Sequence, residues 1–440
     1  MDLSQYRYKL SQYNVFYKDG EIQYMWNTYS NALLELDENA QKYIQEYTGV
    51  DDNSNEFNIL KNNGFVVYEE LDEFNRICLY EKQALFAENT HEMSFIISLG
   101  MECNYNCGYC FEKNSDQTGV MTSEVALEVA NFICQQADSN PNLKKIKISW
   151  FGGEPLLYLD TIEIISKKVM DYTRENNIVF SAAVTTNGRF LNAEVLTKLK
   201  KFGLENAQIA LDGMCELYCK SKRATLEDFD NVIKNIVHAA DKIKLSVRLN
   251  IPTNDGKEAI RIADFLFSQH GLLGKIDLYF AFICHYSLSK NEANQAYIDF
   301  VHNYSLWTDY IIKNYGISEI ERVNSKRRRT YCVLINNNYF CIGSGGELYR
   351  CQHDFGIASR KIGDVWRGRF YNKTEFEYYA TIDSPNKKEC AQCKYVPICM
   401  GECMSHCIKG YSGFDCTAFQ MLQFKAKLLE GGLRNIKFPI

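Results

Sequence analysis

The chain has 440 residues, 46% hydrophobic and 24% charged, the balance of a globular protein with core enough for roughly two to four domains. Its net charge of −6, from 49 basic and 55 acidic residues, argues against nucleic acid as a general partner. No window is apolar enough to span a bilayer, and the opening MDLSQYRYKLSQYNVFYKDGE has no apolar signal core, so a cytoplasmic location with no membrane partner is expected.

Residues 1–90 begin with YNVFYKDGEIQYMWN, which reads as two short strands around a Lys-Asp-Gly turn. NALLELDENAQKYIQEY and NEFNILKNNG then carry apolar spacing for helices, the second ended by Gly64. FVVYEEL and ICLYE read as further strands, so strands, short helices and a closing strand predict a small winged-helix-like module. Residues 91–314 alternate. Strand patterns (MSFIISLGM, KIKISWFGG, IVFSAAVTTNG, AQIALDG, KLSVRLNIP, KIDLYFAFI) are each followed by a helical one, from SEVALEVANFICQQA to the long pattern ending at Tyr315. Six strand–helix units predict an α/β fold with a parallel sheet, open or barrel-like, whose ligands sit at the strands' carboxyl ends. Residues 315–440 lose this rhythm. They are rich in cysteine and loops until a final helical pattern at TAFQMLQFKAKLLEGG.

Seventeen cysteines, an odd number with no secretion signal, point to metal ligation more than to disulfides. Three lie at 103, 107 and 110, nine between Cys332 and Cys416, and five are scattered (Cys78, Cys134, Cys215, Cys219, Cys284), most of these expected as small buried hydrophobes. Cys103-x3-Cys107-x2-Cys110 follows the first strand. Three thiolates so close can hold three irons of a cubane and leave the fourth open; an incomplete zinc site is the alternative. Other strand ends offer polar groups: Gly152-Gly153-Glu154, where glycine lets backbone approach a ligand, then Thr186 and Asn187, then Asp212 with Arg223 beyond it, and Arg248 with Asn250. Arg223 reads equally well as a surface residue. Cys390-x2-Cys393-x5-Cys399-x3-Cys403 with Cys416 beyond, and Cys332-x13-Gly346-x4-Cys351 with Cys341 between, supply eight thiols besides Cys407. That suffices for two four-thiolate clusters, with structural zinc as the alternative.

The cysteine run with Tyr109 resembles the signature of the radical S-adenosylmethionine (SAM) superfamily, C-x3-C-x-aromatic-C. The resemblance implies a partial (β/α)6 TIM-like barrel over 91–314 and a SAM-binding 4Fe–4S cluster on Cys103, Cys107 and Cys110. It also implies reductive SAM cleavage to a 5′-deoxyadenosyl radical that takes a hydrogen atom from substrate. On the same basis Tyr109, Gly152, Gly153, Glu154, Thr186, Asn187, Asp212 and Arg223 would line the SAM site, with the Gly-Gly-Glu segment at the amino group and Arg223 at the carboxylate. Residues 315–440 are similar to SPASM domains. The likeness gives Cys332, Cys341, Cys351 and Cys403 to one auxiliary 4Fe–4S cluster and Cys390, Cys393, Cys399 and Cys416 to the other, three clusters in all. It also offers Asp354, with His353, as a catalytic base; the aspartate of sulfatase maturases stands directly after the corresponding cysteine, two positions earlier. The basic run Lys326–Arg329 reads as a solvated loop or a cradle for an acidic peptide segment.

ALLELDENAQKYI and GFVVYEE make residues 1–90 resemble a RiPP recognition element, which binds a leader peptide as an added strand. A helical cap or dimerisation module is the alternative. Together the likenesses imply an enzyme that modifies a ribosomally made precursor peptide, with a flavodoxin- or ferredoxin-type electron donor. The expected product is an intramolecular thioether, as in sactipeptides and ranthipeptides. A carbon–carbon or carbon–oxygen crosslink, a sulfatase-maturase activity and a non-enzymatic electron carrier are the competing readings.

Overall fold

The computed structural model describes residues 6–85, 91–114, 119–251, 256–283, 289–316, 332, 336–367, 388–401, 427 and 436–437. The chain divides into two compact units, one made of Met1–Phe86, Arg322–Cys332 and Ile382–Ile440, the other of Ala87–Glu321 and Val333–Thr381.

In the first unit β1 (Tyr8–Leu10) pairs antiparallel with β5 (Val66–Tyr68), and β2 (Asn14–Asp19), β3 (Ile22–Asn27) and β4 (Leu33–Leu36) form an antiparallel meander. Helices α1 (Glu38–Gln45) and α2 (Asn55–Asn62) lie between β4 and β5, and α3 (Glu73–Leu85) follows. Met25, Leu34, Phe57, Leu60 and Phe65 bury the join. Two expectations fail here. LLEL, read as the start of a helix, is strand β4: Leu33, Leu34 and Leu36 are buried against β3, and the helix begins only where the Asp37 carboxylate caps Ala40 N at 2.7 Å. ICLYE, read as a closing strand, lies inside α3. Asp72 Oδ1 accepts from Asn75 N to start that helix, and Ile77 packs beside Tyr13 and Val396. A short apolar run does not itself distinguish strand from helix; tertiary packing decides. From the carboxyl-terminal part of the chain, Ile436–Lys437 pairs in parallel with β4, and Tyr395 packs edge-on against Trp26.

The second unit carries the expected alternation. Strands β6 (Glu92–Ser98), β7 (Lys145–Phe151), β8 (Val179–Thr186), β9 (Leu204–Leu211), β10 (Lys244–Leu249) and β11 (Ile276–Phe280) lie side by side in chain order, all parallel. The helices are α4 (Ser123–Asp138), α5 (Leu159–Glu175), α6 (Ala193–Lys201), α7 (Cys215–Lys222), α8 (Leu226–Ala240), α9 (Glu258–Asp264) and α10 (Lys290–Tyr315). Right-handed crossovers between successive neighbours place the helices on one face, which is the singly wound arrangement of a barrel. Burial agrees. Ile146, Ile148, Trp150, Val184, Ile209, Val247 and Leu278 are shut away on the helix side, while the alternate residues, such as Lys147, Gln208, Arg248 and Tyr279, are half-buried on the inner face. The sheet stays open. At the β6 edge it gains β12 (Tyr339–Ile342) in parallel, then β13 (Glu347–Tyr349) and β14 (Gly363–Asp364) antiparallel. The residues of 315–440 are thus shared between the two units. Of the final helical pattern only Lys427 lies among the described residues, and it is helical. No described helix is long and apolar enough to cross a membrane.

Candidate radical centre

The three-cysteine loop leaves the carboxyl end of β6, and the next strand end holds it. Gly153 N donates to Gly100 O (3.0 Å) and Glu154 N to Glu102 O (2.9 Å). A Cβ on Gly153 would stand 2.2 Å from Glu102 O and 2.5 Å from Met101 O, and one on Gly152, whose φ is +115°, would stand 2.3 Å from Gly100 O. Only glycine permits this crossing, so the close backbone approach expected of the Gly-Gly pair is made to the cysteine loop itself.

Glu154 is fully buried behind the loop. One carboxylate oxygen accepts from Thr186 Oγ1 (2.7 Å) and Leu156 N (3.0 Å), the other from Asn187 N (2.8 Å). Burial pushes its pKa up and these donors oppose the shift. The Asn187 side chain in turn donates to Asn104 Oδ1 at 2.8 Å and lies 3.8 Å from Cys103 Sγ. Glu154, Thr186 and Asn187, chosen from two separated motifs, are thereby brought together beside Cys103.

On the other side, Tyr109 Oη lies 2.7 and 2.9 Å from the Asp212 carboxylate oxygens. Asp212 is fully buried and also accepts from Ser221 Oγ and, at 3.4 Å, Asn250 Nδ2. Its counter-charge is Lys222, with Nζ 3.1 Å from Oδ1 and 3.4 Å from Tyr109 Oη, while the Lys222 carbonyl accepts from Asn106 N inside the cysteine loop. Burial alone would lower the Lys222 pKa; the Asp212 charge outweighs it, and the ammonium is held protonated. Lys222 was not singled out from sequence, where CKSKR reads as a polar surface. The usable signal was its i, i+4 spacing from Tyr218, which shares its buried face on α7. Arg223, favoured instead, is exposed in the left-handed cap after α7 and makes no ion pair among the described residues.

Burial raises the pKa of Cys110 to about 11 and pushes Cys107 up as well. A bound cation reverses that preference by deprotonating its thiol ligands. Backbone amides are already aimed at sulfur: Tyr105 N at Cys103 Sγ (3.4 Å), His353 N at Cys351 Sγ (3.5 Å) and Tyr395 N at Cys393 Sγ (3.4 Å). Each is the amide two residues on, and such N–H···S bonds suit a charged thiolate. Three thiols on one loop, with a backbone amide already aimed at one of them, suit the separate irons of a cluster, and the residues fit that group.

Of the other cysteines, Cys341 is buried on β12 beside Ile96, Tyr349 and Phe355, and Cys351 follows β13. Cys332 belongs to the first unit, as do Cys390, Cys393 and Cys399, all half-buried. Cys403, Cys407, Cys416, Cys284 and the Lys326–Arg329 run lie outside the described residues. Of the four scattered cysteines among the described residues, only Cys78 is buried; Cys134 is half-buried, and Cys215 and Cys219, also half-buried, sit 3.8 Å apart on α7, where i, i+4 spacing brings them together. Asp354 is buried in the turn after Cys351, and the His353 ring packs 4.4 Å from that of Phe111, next to Cys110.

Residues 97–266 match the model of the Radical SAM superfamily, so the chain carries a radical SAM domain, with the cysteine loop at its first strand end. Over 91% of its length the chain is 24% identical to the radical SAM cyclopropyl synthase TigE of Paramaledivibacter caminithermalis, covering 90% of that protein. It is 34% identical over 35% of its length to a probable GTP 3′,8-cyclase of Methanococcus aeolicus, and that match spans about half (49%) of the relative. Among solved structures, anSMEcpe with bound AdoMet superposes with a TM-score of 0.60 at 19% identity, over 78% of this chain and all (100%) of that one. Streptococcus suis SuiB bound to precursor peptide SuiA gives 0.54 at 16% identity, over 92% of this chain and 97% of that one.

Proposed function

We propose that this chain is a radical SAM maturase that closes a bond within a ribosomally made precursor peptide. The observation that carries the reading is the cysteine loop, clamped by Glu154–Asn187 on one side and Asp212–Lys222 on the other at the strand ends of a singly wound sheet. With a cluster on Cys103, Cys107 and Cys110 and SAM beside it, the site would supply a 5′-deoxyadenosyl radical. The chain's own part is to position. The Gly152-Gly153-Glu154 turn would face the SAM amino group, and Thr186, Asn187, Asp212 and Arg223 the rest of the molecule. The half-buried inner face would hold substrate away from water.

The β2–β4 meander with its helices supports a leader-binding role for residues 1–90, and the likeness to SuiB, solved with a precursor peptide, is in keeping with it. The auxiliary ligand sets would be Cys332, Cys341, Cys351 and Cys403, and Cys390, Cys393, Cys399 and Cys416. Asp354, with His353, is the candidate base, and a flavodoxin or ferredoxin the candidate reductant. The bond proposed is a thioether between a cysteine sulfur and a carbon of another residue, formed with net loss of two hydrogens from the peptide; an auxiliary cluster, held by those cysteines, would supply the acceptor for the second electron. A carbon–carbon closure is the second reading, favoured by the similarity to a cyclopropyl synthase along nearly the whole chain.

The test incubates reconstituted protein anaerobically with SAM, a reductant and the small peptide encoded beside the gene, then alkylates thiols and records fragment masses. A 2 Da loss with a cysteine blocked to alkylation is expected for the thioether. The same loss with every thiol alkylated moves the assignment to a carbon–carbon or carbon–oxygen bond. An unchanged peptide despite deoxyadenosine formation would sink the maturase reading.

A further inference from the structure

The inner face of the parallel sheet is polar, and its carboxylates are already matched. Glu92 pairs with Lys147 (2.7 Å), Asp277 with Lys244 (3.5 Å) and Asp212 with Lys222 (3.1 Å). Arg248, on the same face of β10, stands apart. In register it lies between Ala210 on β9 and Tyr279 on β11, and the Tyr279 hydroxyl is engaged by Gln208 Oε1 at 2.6 Å. The Arg248 guanidinium has no carboxylate among the described residues, and its Nε is shut off from solvent with no hydrogen-bond partner. A buried N–H so placed is costly unless an acceptor reaches it.

Two residues on, and so on the same face about 6.6 Å further along, Asn250 presents the complementary vacancy. Its Nδ2 reaches Asp212 Oδ1 (3.4 Å) and Tyr109 Oη (3.3 Å). A carboxylate only accepts, which fixes the amide's orientation and leaves Oδ1 as the other end. That oxygen is buried, on a residue 5% exposed, and has no partner. A buried unpaired donor and a buried unpaired acceptor, one strand step apart, describe a ligand with a carboxylate and a neighbouring N–H.

We propose that Arg248 and Asn250 form a substrate subsite that anchors an acidic residue of the precursor peptide, Arg248 taking the side-chain carboxylate and Asn250 Oδ1 a nearby amide N–H. The subsite rests on the reading of this protein as a peptide maturase. Arg248 lies within its strand on the inner face, and Asn250 lies just past the strand's end beside Asp212 and Tyr109, so a ligand that meets both runs from the inner face toward the cysteine loop. The planar guanidinium offers the carboxylate a bidentate match, and Ala210 beside it leaves room.

The test measures binding of the peptide encoded beside the gene, fluorescently labelled, to the anaerobically reconstituted full chain, with SAM affinity read separately by equilibrium dialysis. Arg248→Gln is expected to weaken peptide binding on the order of 10- to 100-fold with SAM affinity unchanged. One Asp→Asn or Glu→Gln variant of the peptide should show the same loss against the wild type and no further loss against Arg248→Gln. Arg248→Lys, which keeps the charge without the fork, should retain part of the affinity and shows that the site still folds. Loss of SAM binding with peptide binding intact would assign the carboxylate to SAM and overturn the proposal, as would unchanged binding of both. If the wild type itself binds no peptide, the maturase reading fails, and the subsite with it.

Discussion

Lys222→Met removes a buried charge from a buried partner. The Lys222 and Asp212 side chains are 3% and 1% exposed, and the Nζ–Oδ1 distance is 3.1 Å. Breaking such a pair from one side costs about 3–5 kcal/mol, because a carboxylate is left without its counter-ion. Tyr109, Ser221 and Asn250 still donate to Asp212, so the low end, about 3 kcal/mol, is expected. In a unit of this size that lowers the melting temperature by roughly 6–12 °C. The companion variant Lys222→Met/Asp212→Asn removes both charges and keeps an acceptor for Tyr109, and it should be more stable than Lys222→Met alone. Anaerobic thermal unfolding followed by circular dichroism gives both numbers, and iron per chain reports the cysteine loop that Tyr109 and Asn106 tie to this pair. If the single-variant effects simply add in the double variant, Asp212 and Lys222 are not coupled and the clamp is refuted.

Gly153→Ala drives a Cβ to 2.2 Å from the Glu102 carbonyl, so the cysteine loop must move; iron at the SAM site should fall with far-UV circular dichroism little changed, and full iron retention would show that the crossing yields. Replacing Cys103, Cys107 and Cys110 together by Ala should abolish deoxyadenosine formation while iron bound by the carboxyl-terminal cysteines remains, measured by iron and sulfide assay. Asp228 caps α8 through Thr225 and meets Arg189. Burial alone would raise its pKa, but the Thr225 and Arg189 contacts win and hold it below the ordinary carboxyl range. A depressed folded-state pKa stabilises above the unfolded value and the contribution fades as pH falls through the folded one. Asp228→Asn should therefore cost about 1–2 kcal/mol near pH 7 and flatten the decline of stability below pH 4, read from urea unfolding across that range.

How much was legible beforehand follows from which forces are local. Six strands alternate with helices at the expected places because Ile146, Ile148 and Trp150, or Leu245, Val247 and Leu249, repeat at the period of a strand buried on one side, and the following helices carry their own caps at Thr122, Asn192 and Thr225. The Cys103–Cys110 spacing is likewise local, since one loop carries all three thiols. LLEL and ICLYE differ from their expected elements because a segment of four or five residues satisfies either period, and neighbouring elements chose between them.

The sequence by itself determined the alternating α/β unit, the cysteine loop at its first strand end, and the polar residues at the strand ends that follow. Only the tertiary structure decided that Lys222 and not Arg223 is the buried cation, that the Gly-Gly turn spends its missing side chains on the cysteine loop, and that Arg248 has no described anion to meet. Those are facts of which groups the fold brings face to face, Lys222 of α7 with Asp212 after β9, the Gly-Gly turn with the loop after β6, and Arg248 with its neighbours on β9 and β11. Burial makes an unpaired charge costly, and no spacing along one segment reveals which distant group answers it.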